Sequence, residues 1–223
     1  MSSGEIYLFD AYGTLFDVHS AVGRLAARIG PGADRLSEIW RTKQLEYTWI
    51  HAATERKASF WSLTERSLDY AIAASGVTIA DETRAALLDA YRELDAYPEV
   101  ASALAALKGR GARLAILSNG DPDLLERAVD SAGLAGQFDH ELSVAAVGTF
   151  KPHPVVYRLA VEAFDAPPEA MTFCSSNRWD IAGASVFGFR CIWINRLGRP
   201  DEYPEMPPAE VVTSLAGLVS ASS

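Results

Sequence analysis

The chain has 223 residues, of which 49% are hydrophobic and 22% are charged, and its formal net charge at pH 7 is −9. This length and composition predict one globular unit with a full hydrophobic core and an insertion. The acidic balance argues against a nucleic-acid partner, because phosphate backbones are bound by basic surfaces. No apolar run of about 18 residues is present, and no basic segment leads into an apolar one near Met1. We therefore expect a cytoplasmic protein without a membrane partner.

The first predicted element is a buried strand that ends on a carboxylate. The apolar run Ile6–Phe9 is typical of a short parallel strand. Asp10 follows directly, at the end of the strand where open α/β sheets place reactive groups. Gly13 and Thr14 then turn the chain away from the sheet.

A long helical stretch without a clear strand follows and extends to about Ala96. The spacing of apolar residues predicts three amphipathic helices, over about 39–47, 60–72 and 81–94. Tyr97-Pro98 ends this stretch, because the residue before a proline is disfavoured in the helical region.

Beyond this point strands and helices alternate. Apolar runs predict strands over 113–117, 171–174 and 191–194, and helices are expected over 123–132 and around 181–187. Alternation of this kind is typical of an α/β fold with a doubly wound, mostly parallel sheet. We expect a Rossmann-like core formed by residues 1–16 and 98–223, interrupted after its first strand by a helical cap of residues 17–97. Such a cap would shield a site from water and strengthen the electrostatic interactions inside it.

The cysteines and histidines do not form a metal-binding pattern. Cys174 and Cys191 lie in apolar runs, which predicts small buried side chains on neighbouring strands in a reducing compartment. The four histidines are scattered and lack the spacing of a zinc-binding pair. We expect no zinc site.

If the sheet is as predicted, four strand ends or following turns contribute polar residues to one face. They are Asp10, Ser118-Asn119-Gly120, Lys151 and the segment from Ser175 to Asp180. Taken singly, each fits an ordinary turn, a helix approach or a solvated residue in the first turn of a helix. The carboxyl ends of parallel strands meet at one edge of a sheet, so the set together predicts one site.

The chain resembles the haloacid dehalogenase superfamily along essentially its whole length, and within it the L-2-haloacid dehalogenases. Four segments carry the resemblance. They are Phe9-Asp10-Ala11-Tyr12-Gly13-Thr14-Leu15-Phe16-Asp17-Val18, Lys43-Gln44-Leu45-Glu46-Tyr47-Thr48-Trp49, Ala115-Ile116-Leu117-Ser118-Asn119-Gly120 and Ser175-Ser176-Asn177. Phosphatases of this superfamily carry a second aspartate, two residues after the first, that protonates the departing alkoxide. Tyr12 holds that position here, which fits a leaving group that needs no proton, such as halide.

The resemblance implies a role for each matching residue. Asp10 would be the nucleophile, with Thr14 orienting it and Lys151 pairing with it. Arg41, placed at the start of the cap helix, would bind the halide with help from Asn119. The hydrolytic water would be held and activated by Ser175, Asn177 and Asp180, and Tyr157 is also implicated in the family.

Further positions would bind the substrate. Its carboxylate would be held by Ser118 and by the backbone amides of Ala11 and Tyr12. An apolar wall around C2 would consist of Tyr12, Leu45, Phe60 and Trp179. The chain departs from the family pattern at Thr42, where glutamine is usual, and at Arg178, where a small or apolar residue is usual. We expect these departures to affect the substrate range, and Arg178 to alter packing near the mouth of the site.

The resemblance also bears on metals and cofactors. Superfamily phosphatases bind Mg²⁺ through the nucleophile and acidic residues of a later motif. When that motif is aligned on Asp180, its first acidic position falls on Ser176. Magnesium prefers anionic oxygen ligands, and Lys151 would already supply the positive charge. We expect neither a metal nor a cofactor.

Elementary chemistry agrees with this assignment. An aspartate is ionised at neutral pH, so it can attack carbon without a general base. Negative charge would then move onto the halogen, where Arg41 would meet it. The resulting ester would be hydrolysed at the carbonyl carbon of Asp10, with Asp180 as the base. Attack from behind the halogen inverts C2, so an (S)-2-haloacid would yield an (R)-2-hydroxyacid.

Three other functions stay open on the sequence. A hydrolase of the same fold could open another activated carbon electrophile, such as a small cyclic amino acid. A magnesium-dependent phosphatase is disfavoured by Tyr12 and Ser176. A catalytically silent binding protein is disfavoured because every expected catalytic position is filled. As partners we expect a small-molecule 2-haloacid and halide, with a homodimer formed through the helical region.

Overall fold

The protein is described by a computed structural model over residues 4–220. Within this range the strands form one all-parallel sheet in the order β3-β2-β1-β4-β5-β6. The strands are β1 (Ile6–Phe9), β2 (Arg113–Ser118), β3 (His140–Ser143), β4 (Met171–Ser175), β5 (Arg190–Ile194) and β6 (Glu210–Val212). This is the strand order of a Rossmann-like sheet, and β1 lies where the order reverses. The predicted α/β class is confirmed.

Helices cover both the connections of the sheet and the stretch after β1. They are α1 (Ser20–Ile29), α2 (Ala33–Ala53), α3 (Phe60–Ser75), α4 (Asp81–Tyr91), α5 (Val100–Gly109), α6 (Pro122–Ser131), α7 (Pro154–Phe164), α8 (Arg178–Phe187) and α9 (Gly217–Ser220). Five of them, α1 to α5, lie between β1 and β2, and the first four make up the stretch that ends before Ala96. None of the helices within residues 4–220 is long and apolar enough to cross a membrane.

The central strand β1 is buried along its whole length, which explains why its sequence is continuously apolar. Phe9 lies opposite Ile116 of β2 and Cys174 of β4. The backbone N–H of Asp10 donates to the carbonyl of Cys174 at 3.0 Å. This bond extends the pairing by one residue and fixes Asp10 at the carboxyl edge of the sheet.

Two details of the helical stretch differ from the prediction. The second helix begins at Ala33, directly after the Gly30-Pro31-Gly32 break, so Arg41 lies in its interior and the predicted position at the start of a helix is wrong. Helix α4 ends at Tyr91, whereas the predicted helix extended to Leu94. Leu94 is buried but lies beyond the turn that follows the helix.

The segments that lead into and out of the stretch containing α1 to α4 lie side by side. The backbone N–H of Asp17 donates to the carbonyl of Asp95 at 2.8 Å, and the N–H of Tyr97 donates to the carbonyl of Leu15 at 3.0 Å. An antiparallel bridge joins Phe16 to Ala96 between these bonds. The two connections to the four-helix stretch are therefore held together.

The two cysteines have the buried positions on neighbouring strands that the sequence predicts. Cys174 on β4 and Cys191 on β5 are buried, unpaired and carried by neighbouring strands. Burial raises the pKa of both thiols. They therefore behave as small hydrophobic side chains rather than reactive ones.

Candidate active site

Four side chains converge on the carboxylate of Asp10, which is only 6% exposed. Its Oδ2 accepts hydrogen bonds from Thr14 Oγ1 at 2.8 Å, from Asn177 Nδ2 at 2.8 Å and from Ser175 Oγ at 3.2 Å. Its Oδ1 accepts a single bond from Lys151 Nζ at 3.2 Å. The two oxygens thus differ in their hydrogen bonding, since three donors bind Oδ2 and the ammonium of Lys151 binds Oδ1.

The fold explains how these donors reach one point. Thr14 follows the turn after β1, where Gly13 adopts a left-handed conformation with φ of 94° that favours glycine. Ser175 ends the adjacent strand β4, and Asn177 occupies the residue before α8. Lys151 comes from the loop that follows β3 and a short 3-10 helix, and not directly from a strand end.

A second buried carboxylate lies on the other side of Lys151. Lys151 Nζ donates to Asp180 Oδ2 at 2.8 Å, and the Tyr157 hydroxyl donates to Asp180 Oδ1 at 2.8 Å. Burial raises the pKa of Asp180 to about 6, although Lys151 opposes this shift. Burial disfavours the ammonium of Lys151, but the two carboxylates outweigh it and raise the pKa of that side chain. Burial and the charge of Asp180 raise the pKa of Tyr157 well above its usual range.

Arg41 reaches the site from α2. Its Nη2 donates to the carbonyl of Tyr12 at 2.8 Å and to Asn177 Oδ1 at 3.4 Å, and its Nη1 donates to Gln44 Oε1 at 2.9 Å. Arg41 thus lies beside Asn177, whereas the predicted helper Asn119 accepts a bond from the backbone N–H of Lys151 at 3.0 Å.

The turn after β2 and the turn after β1 provide the groups expected to bind a carboxylate. Ser118 is buried, and its Oγ accepts from the N–H of Gly120 at 3.0 Å, which leaves its hydroxyl proton available. Among residues 4–220, neither Ala11 nor Tyr12 donates its N–H to a backbone carbonyl. Unpaired backbone donors at a buried edge are suited to an anionic ligand.

The structure brings part of the predicted apolar wall together. The rings of Tyr12 and Phe60 pack with centroids 5.3 Å apart, and both side chains are buried. Trp179 packs edge-on against Trp49 of α2 at 5.5 Å. Leu45 is half-buried on the same helix.

The two departures from the family pattern occupy different environments. Thr42 is exposed on α2. Arg178 is buried, forms an ion pair with Asp201 at 2.6 Å, and donates to the carbonyls of Tyr203 at 2.5 Å and Met206 at 2.9 Å. Arg178 therefore anchors the segment between β5 and β6.

Sequence reasoning missed three residues around the site. Gln44 binds Arg41 and exchanges hydrogen bonds with the Tyr91 hydroxyl at 2.9 and 3.1 Å. The spacing of three between Arg41 and Gln44 on one helix is a signal that could have revealed this pair. Asp121 contacts the start of α3, 60 residues earlier in the sequence, and no local sequence pattern predicts that contact.

The donor set does not fit a magnesium ion. Magnesium takes several hard oxygen ligands in an octahedral shell. Here the ammonium of Lys151 lies between Asp10 and Asp180, and Ser176 presents a neutral hydroxyl where phosphatases of the superfamily carry an acid. Within the described part of the chain, no group of three or more His, Cys, Asp or Glu side chains is arranged to hold a metal ion.

Comparison with known proteins shows the family of the chain. The model of the haloacid dehalogenase-like hydrolases matches residues 5–188. The chain is 46% identical over 212 residues to the (S)-2-haloacid dehalogenase of Pseudomonas sp. strain YL, which covers 95% of this chain and 91% of that protein. It is 43% identical over 211 residues to (S)-2-haloacid dehalogenase 1 of Pseudomonas sp. strain CBS-3, with coverages of 95% and 93%.

A solved structure shows the same architecture. The L-2-haloacid dehalogenase from Xanthobacter autotrophicus, with chloropropionic acid covalently bound, aligns with a TM-score of 0.89 at 35% identity and covers 97% of each chain. The fold and the family match define a hydrolase of the haloacid dehalogenase superfamily. Within that superfamily the chain belongs to the L-2-haloacid dehalogenase family, as its sequence segments predict.

Proposed function

We propose that the protein hydrolyses (S)-2-haloacids to (R)-2-hydroxyacids and halide, through an ester of Asp10 and with inversion at C2. One observation carries the proposal. A buried aspartate held by four donors faces a second buried carboxylate across one lysine, and no acid stands at position 12 to protonate an oxygen leaving group. The names of the relatives and the covalent complex of the Xanthobacter enzyme support the substrate class.

The contacts of Asp10 support a division of labour between its oxygens. Within residues 4–220, Oδ1 accepts only the hydrogen bond from Lys151, so it keeps more of its electron density and is the better nucleophile. It attacks C2 while the carbon–halogen bond breaks and the halide leaves with the bonding pair. Arg41 donates to the carbonyl of Tyr12 and to Asn177, and these contacts beside Asp10 support its role as the guanidinium that stabilises the departing charge.

Oδ2 then becomes the carbonyl oxygen of the ester. When water adds to the ester carbon, negative charge develops on this atom, which already accepts hydrogen bonds from Thr14, Ser175 and Asn177. Donors aimed in advance at a developing oxyanion are among the largest contributions to catalysis. Asp180, the second buried carboxylate, takes the proton from the water, which Ser175 and Asn177 help to hold. The bond between the ester carbon and Oδ1 then breaks, and Asp180 returns the proton to Oδ1, which leaves as the hydroxyl oxygen of the (R)-2-hydroxyacid while the oxygen from water stays in the Asp10 carboxylate.

Esterification prepares Asp180 for this task. The negative charge of Asp10 helps to raise the pKa of Asp180, and the ester removes that charge. Lys151 then interacts with Asp180 alone. Both effects favour the ionised base in the step that needs it.

We further propose that residues 17–97 form a helical cap on a core of residues 1–16 and 98–223. The paired connections at Phe16 and Ala96 support these boundaries. Contacts of Arg41 and Phe60 with Tyr12 support a position of the cap over Asp10. Assembly as a homodimer stays a prediction, which sedimentation of the full chain would check.

The proposal is tested by halide release from the two enantiomers of 2-chloropropionate, with and without chelator. Release from the (S) enantiomer alone, yielding (R)-lactate, is expected. A single turnover in ¹⁸O-labelled water should place the label in Asp10 and leave the first lactate unlabelled. Label in lactate from the first turnover would show that water attacks C2 directly.

A further inference from the structure

The start of α3 is held by a residue from the sheet side of the molecule. One carboxylate oxygen of Asp121 accepts from the N–H of Phe60 at 3.1 Å, and the other accepts from the N–H of Trp61 at 2.7 Å. Ser59 Oγ accepts from the N–H of Ser62 at 3.1 Å. Three successive N–H groups at this helix terminus are therefore paired, two of them by a residue remote in sequence.

This arrangement is stronger than an ordinary helix cap. The first N–H groups of a helix have no partner within the helix, and the helix dipole favours negative charge beside them. A local cap such as Ser59 serves one donor, whereas Asp121 binds two donors with both oxygens at once. Asp121 thereby ties α3 to the turn after β2.

The tie joins two parts of the candidate site. Asp121 directly follows Ser118-Asn119-Gly120, the turn expected to contact the substrate carboxylate. Phe60 is the first residue of α3, and its ring packs on Tyr12. Gly120 belongs to the same contact, since a Cβ there would lie 2.7 Å from the Tyr12 ring.

We propose that Asp121 is a positioning residue. Its two hydrogen bonds to the N–H groups of Phe60 and Trp61, here called the latch, hold α3 over the site and thereby limit the size of the C2 substituent that the site accepts. Its kinetic consequences rest on the proposed function. Phe60 and Tyr12 are only 1% and 3% exposed, so the space beside C2 depends on where α3 is held. Releasing the latch lets α3 and Phe60 move away from Tyr12, which loosens the site for small substrates and enlarges it for long ones.

Amide hydrogen exchange tests the latch without turnover. In Asp121→Ala, exchange in the segment 60–63 should accelerate at least about tenfold, because two charge-assisted hydrogen bonds are lost. The control is Asp123→Asn, a neighbouring exposed carboxylate on α6, which should leave this segment unchanged. Equal exchange in wild type and Asp121→Ala overturns the proposal.

Kinetics separates a latch from a simple helix cap. For Asp121→Ala we expect KM for (S)-2-chloropropionate to rise about tenfold and kcat to change less than about threefold. The ratio of kcat/KM for (S)-2-chlorohexanoate to that for (S)-2-chloropropionate should rise. Asp121→Asn, which keeps one acceptor and the side-chain volume, should fall in between and guards against a folding defect in the alanine variant.

Each result has one meaning. Faster exchange with unchanged KM and chain-length preference would make Asp121 a helix cap only and overturn the latch. A wild-type protein that releases no halide from either substrate would contradict the proposed function, while the exchange measurement would still decide whether Asp121 holds α3.

Discussion

Lys151 Nζ lies closer to Asp180 than to Asp10, at 2.8 Å against 3.2 Å. All three charged groups are buried, so the single ammonium has to compensate two carboxylates. Burial, together with the repulsion between the two carboxylates that the ammonium does not fully offset, raises the pKa of Asp180 to about 6. A carboxylate with such a pKa is a stronger base than a solvated one and is still ionised near neutrality.

The pH dependence of turnover should report this base. In the proposed mechanism Asp180 acts in its ionised form, so the rate should be retained above its pKa and fall below it, about tenfold per pH unit. Esterification of Asp10 removes one cause of the raised pKa, so the acid limb of kcat should lie at or below about pH 6. Stopped-flow measurement of ester hydrolysis between pH 4 and 8 would check this, and an acid limb above pH 7 would contradict the assignment of Asp180.

Asp10→Asn should lose turnover while the protein stays folded. An amide cannot form the ester, and removal of a covalent nucleophile typically costs at least about 10⁴-fold in rate. Halide release and circular dichroism are measured together. Near-normal halide release from the folded variant would show that Asp10 is not the nucleophile.

Arg41→Ala should lose about 10²–10³-fold in kcat, because a preorganised charge aimed at a developing anion is lost. Arg41→Lys should also be impaired, since an ammonium cannot donate to Tyr12, Asn177 and Gln44 with the same planar geometry. The matched control is Arg35→Ala, an exposed arginine on the same helix. If both Arg41 variants turn over (S)-2-chloropropionate like the control, the halide has another partner.

The sequence predicted the strands that are buried on both faces and missed those at the edges. β1, β2, β4 and β5 contain continuous apolar runs, because helices cover both of their faces. β3 has the sequence His-Glu-Leu-Ser and β6 has only three residues. β3 is mostly polar and β6 is too short to show an apolar period, so only their neighbours in the sheet define these edge strands.

The site likewise contains positions that the sequence predicts and contacts that it does not. Asp10 and Ser175 were predictable because each directly ends a strand, and the topology of a parallel sheet brings such positions together. The contact of Gln44 with Tyr91 and that of Asp121 with α3 were not, since they depend on how the helices pack on the sheet. The interior position of Arg41 in α2 was missed because the apolar pattern begins later than the helix itself.

Exhaustive chelation should leave the activity unchanged, and added Mg²⁺ should not increase it. The ammonium of Lys151 already neutralises the two carboxylates, and Ser176 offers no anionic ligand. Halide release is measured after dialysis against EDTA, then again with millimolar Mg²⁺. An EDTA-sensitive rate that magnesium restores would favour metal-dependent chemistry instead.

Arg178→Ala should destabilise the protein and loosen the segment between β5 and β6. The substitution leaves the carbonyls of Tyr203 and Met206 without their donor and removes a buried guanidinium that packs over the Trp193 and Tyr203 rings. Effects of this kind cost about 2–3 kcal/mol, which for a chain of this size lowers Tm by roughly 5–10 °C. Proteolysis between 199 and 206 should become faster, because the lost contacts hold this segment.

A surface ion pair provides the control for Arg178. Arg190 contacts Glu210 at 3.2 Å, but its side chain is 49% exposed, so Arg190→Ala should change the free energy of unfolding by less than about 1 kcal/mol. Thermal unfolding and limited proteolysis of the two variants are compared with wild type. Because Arg178 stands between Asn177, which binds Asp10, and Trp179, we also expect a lower kcat/KM in Arg178→Ala. A wild-type Tm and cleavage pattern in Arg178→Ala would show that the segment is held by its other contacts, such as the bond from Arg196 Nη2 to the carbonyl of Thr14 at 2.9 Å.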